Sequence, residues 1–349
     1  MGGALHVGWA PMPDQAAAVP RSGAGWKVAL RLAVSAVFLV VLFTRVPDLD
    51  GISLPHGHPL RTTLLLGLAI VAACVGIVLS AWRWQQVLRL FDARVPLATL
   101  TRHYFAGQFV SNVMPSTVGG DVVRVARCAK NVGSTTVSFG SVVLERLSGM
   151  LALPLLVLVG FALRPSLLHV EHAWLALFTA GATLSVLVLI VIAAGHPSLA
   201  GRFATNENWT RFIGAVFLGV DRARRDPGQA VIVLATAIVY QLSIIGAYAL
   251  IFRALDVSVP IAAAFAFVPA VSMLQVIPLS FGGLGVREGA LVWFRYGLGI
   301  KAGAAATAGL LWYASLFVVS LIGAPIFAIG QRQTAPTSKG TSTPVTAQP

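Results

Sequence analysis

Six long apolar runs, at residues 26–46, 62–90, 135–163, 172–194, 229–253 and 303–329, limit what this chain can fold into. A helix rises 1.5 Å per residue, so about 20 apolar residues cross a bilayer core ~30 Å thick. Backbone groups in lipid must be satisfied within the spanning element, and runs of this length meet that demand as helices rather than strands. Only 11% of the 349 residues are charged, against about 25% in soluble domains. The sequence therefore describes an all-α integral membrane protein. Its net charge of +13 does not point to nucleic acid, because membrane proteins gather Lys and Arg on cytoplasmic loops.

Two polar interruptions carry nearly the same text. The first is Asn112-Val113-Met114-Pro115-Ser116-Thr117-Val118-Gly119-Gly120-Asp121-Val122-Val123-Arg124; the second is Gln275-Val276-Ile277-Pro278-Leu279-Ser280-Phe281-Gly282-Gly283-Leu284-Gly285-Val286-Arg287. Pro115 and Pro278 lie 163 residues apart, as do Arg124 and Arg287. A segment broken by Pro and Gly is costly in lipid unless protein or water covers it. Found at matching places in two halves, it is the sequence pointer to a transporter's binding site. Each is expected to form a re-entrant pair of short helices, at 96–130 and 259–300. The same offset carries the run at 62–90 onto 229–253 and the run at 135–163 onto 303–329. The repeat halves are therefore about 62–163 and 225–330.

Three spans separate the two motifs. An odd number puts the mouths of the two re-entrant pairs on opposite faces, which makes the repeat an inverted one. With both termini inside, sixteen Lys and Arg fall on inner segments and seven on outer ones, as the positive-inside rule requires. The expected location is a bacterial cytoplasmic (inner) membrane. Residues 1–24 are a Gly-, Ala- and Pro-rich lead expected to be disordered, as is the tail 331–349. The run at 26–46 is too long for a signal-peptide core and is expected to be retained as the first span. Trp82-Arg83-Trp84 fits an interfacial anchor. The basic stretch 196–228 fits an amphipathic helix on the membrane surface. Cys74 and Cys128 have no metal or disulfide spacing and are expected to pack as small apolar residues.

Glu145 and Arg146 fall near the middle of a span, where ionisable residues are functional candidates by default. Adjacent helix residues point about 100° apart, so each is expected to meet a partner on another element. Helix N-termini and glycine amides at the two turns favour anions. Arg124 and Arg287 add a planar fork suited to phosphate oxygens, and Gly119, Gly120, Gly282 and Gly283 allow close backbone approach. Asn112 and Gln275 complete the candidate substrate-binding set. Asp121, Glu145, Arg146 and Glu288 are the coupling or gating candidates. Two roles stay open for the arginines. They bind a phosphate-bearing head group, or Arg124 pairs with Asp121 or Glu145, and Arg287 with Glu288, to hold the broken helices.

Arg83-Trp84, the first motif, Glu145-Arg146 and Pro278-x-x-x-Gly282-Gly283-x-Gly285-x-Arg287-Glu288 together resemble the lysylphosphatidylglycerol synthase transmembrane-region family. The resemblance covers roughly residues 26–330 and implies a flippase-like transmembrane domain over 25–330. It implies that Asp121, Arg124, Glu145, Arg146, Arg287 and Glu288 line a lipid path. The larger family members carry a soluble aminoacyl-transferase domain after the membrane part; a stand-alone membrane domain is expected here, so aminoacylation is not carried over.

The expected partners are the bilayer and an anionic lipid head group of phospholipid or polyprenyl-phosphate type. An accessory role beside a separate lipid-modifying enzyme is a third class. The competing class is a membrane-embedded transferase for lipid-linked sugars or head groups, with a metal on Asp48, Asp50, His56 and His58. No nucleophile elbow, zinc-protease helix or Walker-type loop is present, so no cofactor is expected.

Overall fold

The computed structural model describes residues 40, 58–113, 119–195, 207–276, 283–295 and 298–332. All regular structure there is helical. The order is α1 (Pro59–Leu90), α2 (Leu97–Val113), α3 (Gly119–Val132), α4 (Thr135–Leu163), a 3-10 turn (Pro165–His169), α5 (Ala173–Gly195) and α6 (Glu207–Arg225). Then come α7 (Pro227–Ala254), α8 (Ile261–Leu274), α9 (Val286–Phe294), α10 (Ala302–Leu321) and α11 (Gly323–Arg332). Five stretches are long and apolar enough to cross a membrane: Pro59–Leu90, Thr135–Leu163, Ala173–Ala194, Pro227–Ala254 and Ala302–Ile329. Each coincides with an expected span. Of the expected span at 26–46 only Val40 is described, and Asp48, Asp50 and His56 lie outside the described residues.

The core is mostly apolar, but apolar side chains also cover the outside and a few polar ones are buried. On α1, Leu60, Leu64, Leu68, Val71, Val75 and Val78 are exposed at helical spacing, while Ser80, Arg83 and Gln86 are buried. A soluble helix would do the reverse, so the outward stripe is a lipid-facing surface. α7 lies antiparallel along α1. Arg61 at the start of α1 pairs with Asp256 just past the end of α7 at 2.7 Å, and Gln229 at the start of α7 donates to the Gln86 carbonyl near the end of α1 at 2.9 Å. Both helices close with the same hydrogen bonds. Ala93 and Asp92 donate to Leu88 and Arg89, and Val257 and Asp256 donate to Phe252 and Arg253. Asp92 (φ 57°) and Asp256 (φ 56°) thus hold the left-handed position usually given to glycine.

Each repeated motif separates two helices, α2 from α3 and α8 from α9. α4 packs on α8, and α10 with α11 packs on α2. Both crossings close on a glycine. A Cβ on Gly160 would sit 2.5 Å from the Ala266 nitrogen, and one on Gly323 would sit 2.1 Å from the Phe105 oxygen. No larger residue fits without moving backbone. Gly160 and Gly323 are themselves 163 residues apart.

The basic stretch after α5 does form a helix, α6, docked on α4 and α5, with Arg222 paired to Asp92. Cys128 is fully buried in the apolar cluster around Trp84, in the packing role expected of it. Cys74 is half-buried beside the main core.

Candidate functional site

The first broken pair is drawn tight before it carries any charge. A Cβ on Gly120 would lie 2.4 Å from the Gly107 oxygen and 2.1 Å from the Ser111 hydroxyl. Only glycines let α2 and α3 approach so closely. The freedom at Gly120 is therefore used against α2. The hairpin brings the first turns of α3 against α1 and α4, and five charged groups meet there.

Glu145 on α4 is fully buried. Its Oε1 accepts from Arg83 Nη2 on α1 and, at 3.1 Å, from the Tyr104 hydroxyl on α2. Its Oε2 accepts from Arg124 Nη2 on α3 at 3.1 Å. Arg124 also reaches Asp121 Oδ1 at 3.3 Å, and Asp121 Oδ2 takes Arg146 Nε at 2.5 Å. The order is Arg83–Glu145–Arg124–Asp121–Arg146. The Arg124 guanidinium lies between two rings, 4.4 Å from Trp84 and 3.9 Å from Tyr104. A desolvated cation–π contact of this kind contributes roughly 2 kcal/mol. Three arginines face two carboxylates, leaving one positive charge in excess. Arg83 Nε and Nη1 and Arg124 Nε are buried without a hydrogen-bond partner among the described residues.

This corrects the interfacial reading of Trp82-Arg83-Trp84. Trp82 is exposed, but Arg83 and Trp84 are 4% and 0% exposed. Trp84 Nε1 donates to the Ser141 hydroxyl at 2.9 Å. The helix turns the arginine inward because a carboxylate waits there, and a buried guanidinium needs one. The expectation that Glu145 and Arg146 find partners on other elements is met.

The second cluster uses the same arginine differently. Arg287 on α9 donates from Nε and Nη2 to Gln275 Oε1, at 3.1 and 2.8 Å. Glu288 accepts the Gly285 amide at 2.6 Å, closing the first turn of α9, and comes within 3.9 Å of Arg287. Gly283 and Gly285 have φ of 78° and 83°, which favours glycine at both. A Cβ on Gly309 of α10 would touch Glu288 Oε1 at 3.0 Å. The offset of 163 carries Glu145 onto Ala308, the neighbour of Gly309. Each motif's arginine thus has a carboxylate near it, Glu145 from α4 for Arg124 and Glu288 from α9 for Arg287.

Of the residues singled out from the sequence, Asp121, Arg124, Glu145 and Arg146 come together, and Gln275, Gly283, Arg287 and Glu288 form the second group. Asn112 joins neither; its Nδ2 donates to the Leu316 oxygen on α10 at 3.4 Å. Gly119 opens α3, and Gly282 lies outside the described residues. Of the four candidate metal ligands only His58 is described. It is exposed and stands at the start of α1. Among the described residues no group of three or more His, Cys, Asp or Glu has a metal-holding arrangement. Sequence reasoning missed Tyr104, Gly149 and Gly309 as parts of the clusters. Gly149 is the seat of Arg83, whose Nη1 would lie 2.8 Å from a Cβ there.

Five candidate spans, an apolar stripe turned outward along α1 and two arginine clusters packed between helices mark a multi-pass integral membrane protein. The chain matches the family described as "Lysylphosphatidylglycerol synthase TM region" over residues 28–323 and belongs to that family. It is similar to the UPF0104 membrane protein PH1989 of Pyrococcus horikoshii, with 24% identity over 140 residues. That match covers 39% of this chain and 41% of the relative's length.

Proposed function

We propose that this protein moves a phosphate-bearing lipid, a phospholipid or polyprenyl phosphate, between the leaflets of a membrane. One observation carries the reading: a network of three arginines and two carboxylates in which the buried Arg83 and Arg124 keep three guanidinium N–H groups without a hydrogen-bond partner among the described residues. Leaving a buried donor unpaired costs about 1–3 kcal/mol each, and such groups call for a ligand or another state. A phosphodiester supplies one negative charge and several acceptor oxygens, and arginine forks match its geometry. Transport then works by exchange. The phosphate takes Arg124 from Asp121 and Glu145 on one side, and takes Arg287 from Gln275 and Glu288 on the other. The carboxylates receive the arginines back once the lipid has passed. Holding the broken helices and binding head groups are thus two stages of one cycle.

The inverted repeat and the re-entrant course of α2–α3 and α8–α9 belong to the same proposal. Supporting it, α1 and α7 are related by the 163-residue offset and run antiparallel. Each half's long helix also crosses the other half's first arm at a glycine, Gly160 or Gly323. The repeats rock about these crossings. The proposed setting is a bacterial inner membrane with both termini cytoplasmic.

The test is reconstitution in liposomes with fluorescent phosphatidylglycerol, lysyl-phosphatidylglycerol and a polyprenyl phosphate in parallel. The expected result is movement of one of them, lost in Arg124→Gln and in Arg287→Gln protein that remains monodisperse. No movement of any lipid by folded wild-type protein rejects the reading and favours an accessory role beside a lipid-modifying enzyme.

A further inference from the structure

A cavity of about 660 Å3 lies away from both arginine clusters, between the start of α1, the end of α7 and the start of α8. Its α7 wall is a single helix face made of Leu242, Ile245, Gly246, Ala249 and Arg253. From Leu242 to Arg253 the wall descends about 16 Å at 1.5 Å per residue. Ala264 and Phe265 of α8 form the opposite side. Charge is confined to the mouth. There Arg61 pairs with Asp256, both about half exposed, and Arg253 is exposed with no ion-pair partner among the described residues. The mouth therefore carries one net positive charge.

Depth explains this layout. The 28 residues of α7 extend about 42 Å, close to the ~40–45 Å of a bilayer with its head-group regions. Arg61 and Arg253, at the ends of their helices, reach head-group level. The wall up to Leu242 lies in the hydrocarbon. A basic mouth over an apolar trough is complementary to one class of molecule, an amphiphile with an anionic head.

The other end of α1 has a related cavity that makes the contrast. About 730 Å3 in volume, it is lined by Arg89, Asp92 and Arg94 among others. Asp92 there repeats the backbone of Asp256 and its ion pair, with Arg222 in place of Arg61. Its α1 wall reaches only from Gln85 to Arg89, so it offers a cradle for a head group and no trough for a chain.

We propose that the α1–α7–α8 cavity binds an anionic phospholipid, with its phosphate on Arg253 and Arg61 and one acyl chain along the Leu242–Ala249 face. This site is independent of the transport reading and holds whether or not the bound lipid is the one moved.

Two substitutions test it without disturbing packing. A Cβ on Gly246 meets nothing within 4 Å, so Gly246→Leu fills the trough from open space. Arg253→Gln removes the unpaired charge and leaves no carboxylate orphaned. The purified full chain in nanodiscs is irradiated with phosphatidylglycerol carrying a diazirine on one acyl chain, and labelled peptides are mapped. Labelling is expected on residues 242–265. It should fall about tenfold in Arg253→Gln, the factor for losing one charge-assisted contact, and comparably in Gly246→Leu. Labelling that persists in Arg124→Gln, whatever happens to transport, supports a separate site; labelling lost there assigns the signal to the arginine network and overturns the proposal. Undiminished labelling in Arg253→Gln, equal labelling by photoreactive phosphatidylcholine, or displacement by soluble glycerol phosphate also overturns it. If Gly246→Leu does not fold, Arg253→Gln alone decides.

Discussion

Arg83 and Glu145 form a buried ion pair between α1 and α4, and the same carboxylate holds Arg124 of α3. One carboxylate thus ties the first broken pair to two spans. A buried ion pair is weak evidence for stability, because desolvation offsets much of its attraction, but removing one partner is strongly destabilising. The residues of this network are accordingly unequal.

Glu145→Ala leaves Arg83 without a carboxylate and Arg124 with only Asp121. The expected loss is about 3–5 kcal/mol, read from denaturant or thermal unfolding in detergent. Arg83→Met should cost less than half of that, because Glu145 keeps Arg124 and the Tyr104 hydroxyl. Equal losses in the two variants would mean that the Arg83 pair alone carries the effect and that the hold of Glu145 on Arg124 adds no stability.

Arg124→Lys keeps the charge and loses the fork. A lysine is a point charge and cannot span Asp121 and Glu145 as the guanidinium does. Lipid movement in liposomes should fall by about tenfold or more, the factor for one lost charge-assisted hydrogen bond. Unchanged transport would remove bidentate recognition from the mechanism.

Gly160→Ala and Gly323→Ala each place a methyl against the backbone of the helix that crosses there, α8 or α2. Overpacking of this kind costs about 1–3 kcal/mol, so both variants should melt lower than wild type. Gly181→Ala, where a Cβ meets nothing within 4 Å, serves as the neutral control. No difference among the three would show that the crossings yield freely.

At Gly283 both the backbone and the space are restrictive. Its φ is 78° and a Cβ would stand 2.7 Å from Gln275 Oε1. Gly283→Ala should lose more than ~1 kcal/mol, where a change compatible with the backbone would gain up to about that much, and should displace Gln275 from Arg287. The readout is the melting temperature together with transport. A fall in transport with unchanged stability would place the effect on Arg287 alone.

Cysteine labelling tests orientation, using Arg94→Cys and Ser258→Cys in a background with Cys74 and Cys128 changed to alanine. The two positions lie at opposite ends of the α1–α7 pair. Impermeant maleimide should reach position 94 from the cytoplasmic side and position 258 from the outside. Reactivity of both from one side would reject the inverted arrangement.

The five described spans were legible in the sequence almost to the residue, 135–163 identically. The reason is that length and apolarity alone meet the needs of the hydrocarbon core. At the second motif the end of α8 at Leu274 was equally plain, since Pro and Gly end a helix by local geometry. The candidate residues Asp121, Arg124, Glu145 and Arg146 were legible because charge within a span is costly and needs a reason. Arg83 was misjudged. Beside two tryptophans near the end of a run, it satisfies the local rule for an interfacial anchor. Its partner is 62 residues away, and local rules do not see that far. Gly160 and Gly323 carried no signal for the same reason, because a glycine inside a span is ordinary until another helix crosses it.

The sequence by itself determined that the chain lives in a membrane, where its five described spans lie, and that two Pro- and Gly-broken motifs recur at a fixed offset. These depend on hydropathy, chain geometry and local breakers, which a residue carries wherever it lies. Only the tertiary structure decided how each helix is rotated and which charges meet. It gave Arg124 two carboxylates, gave Arg287 a glutamine, and turned Arg83 inward. Those choices depend on helix packing, and a buried charge is stable only where packing supplies its counter-charge.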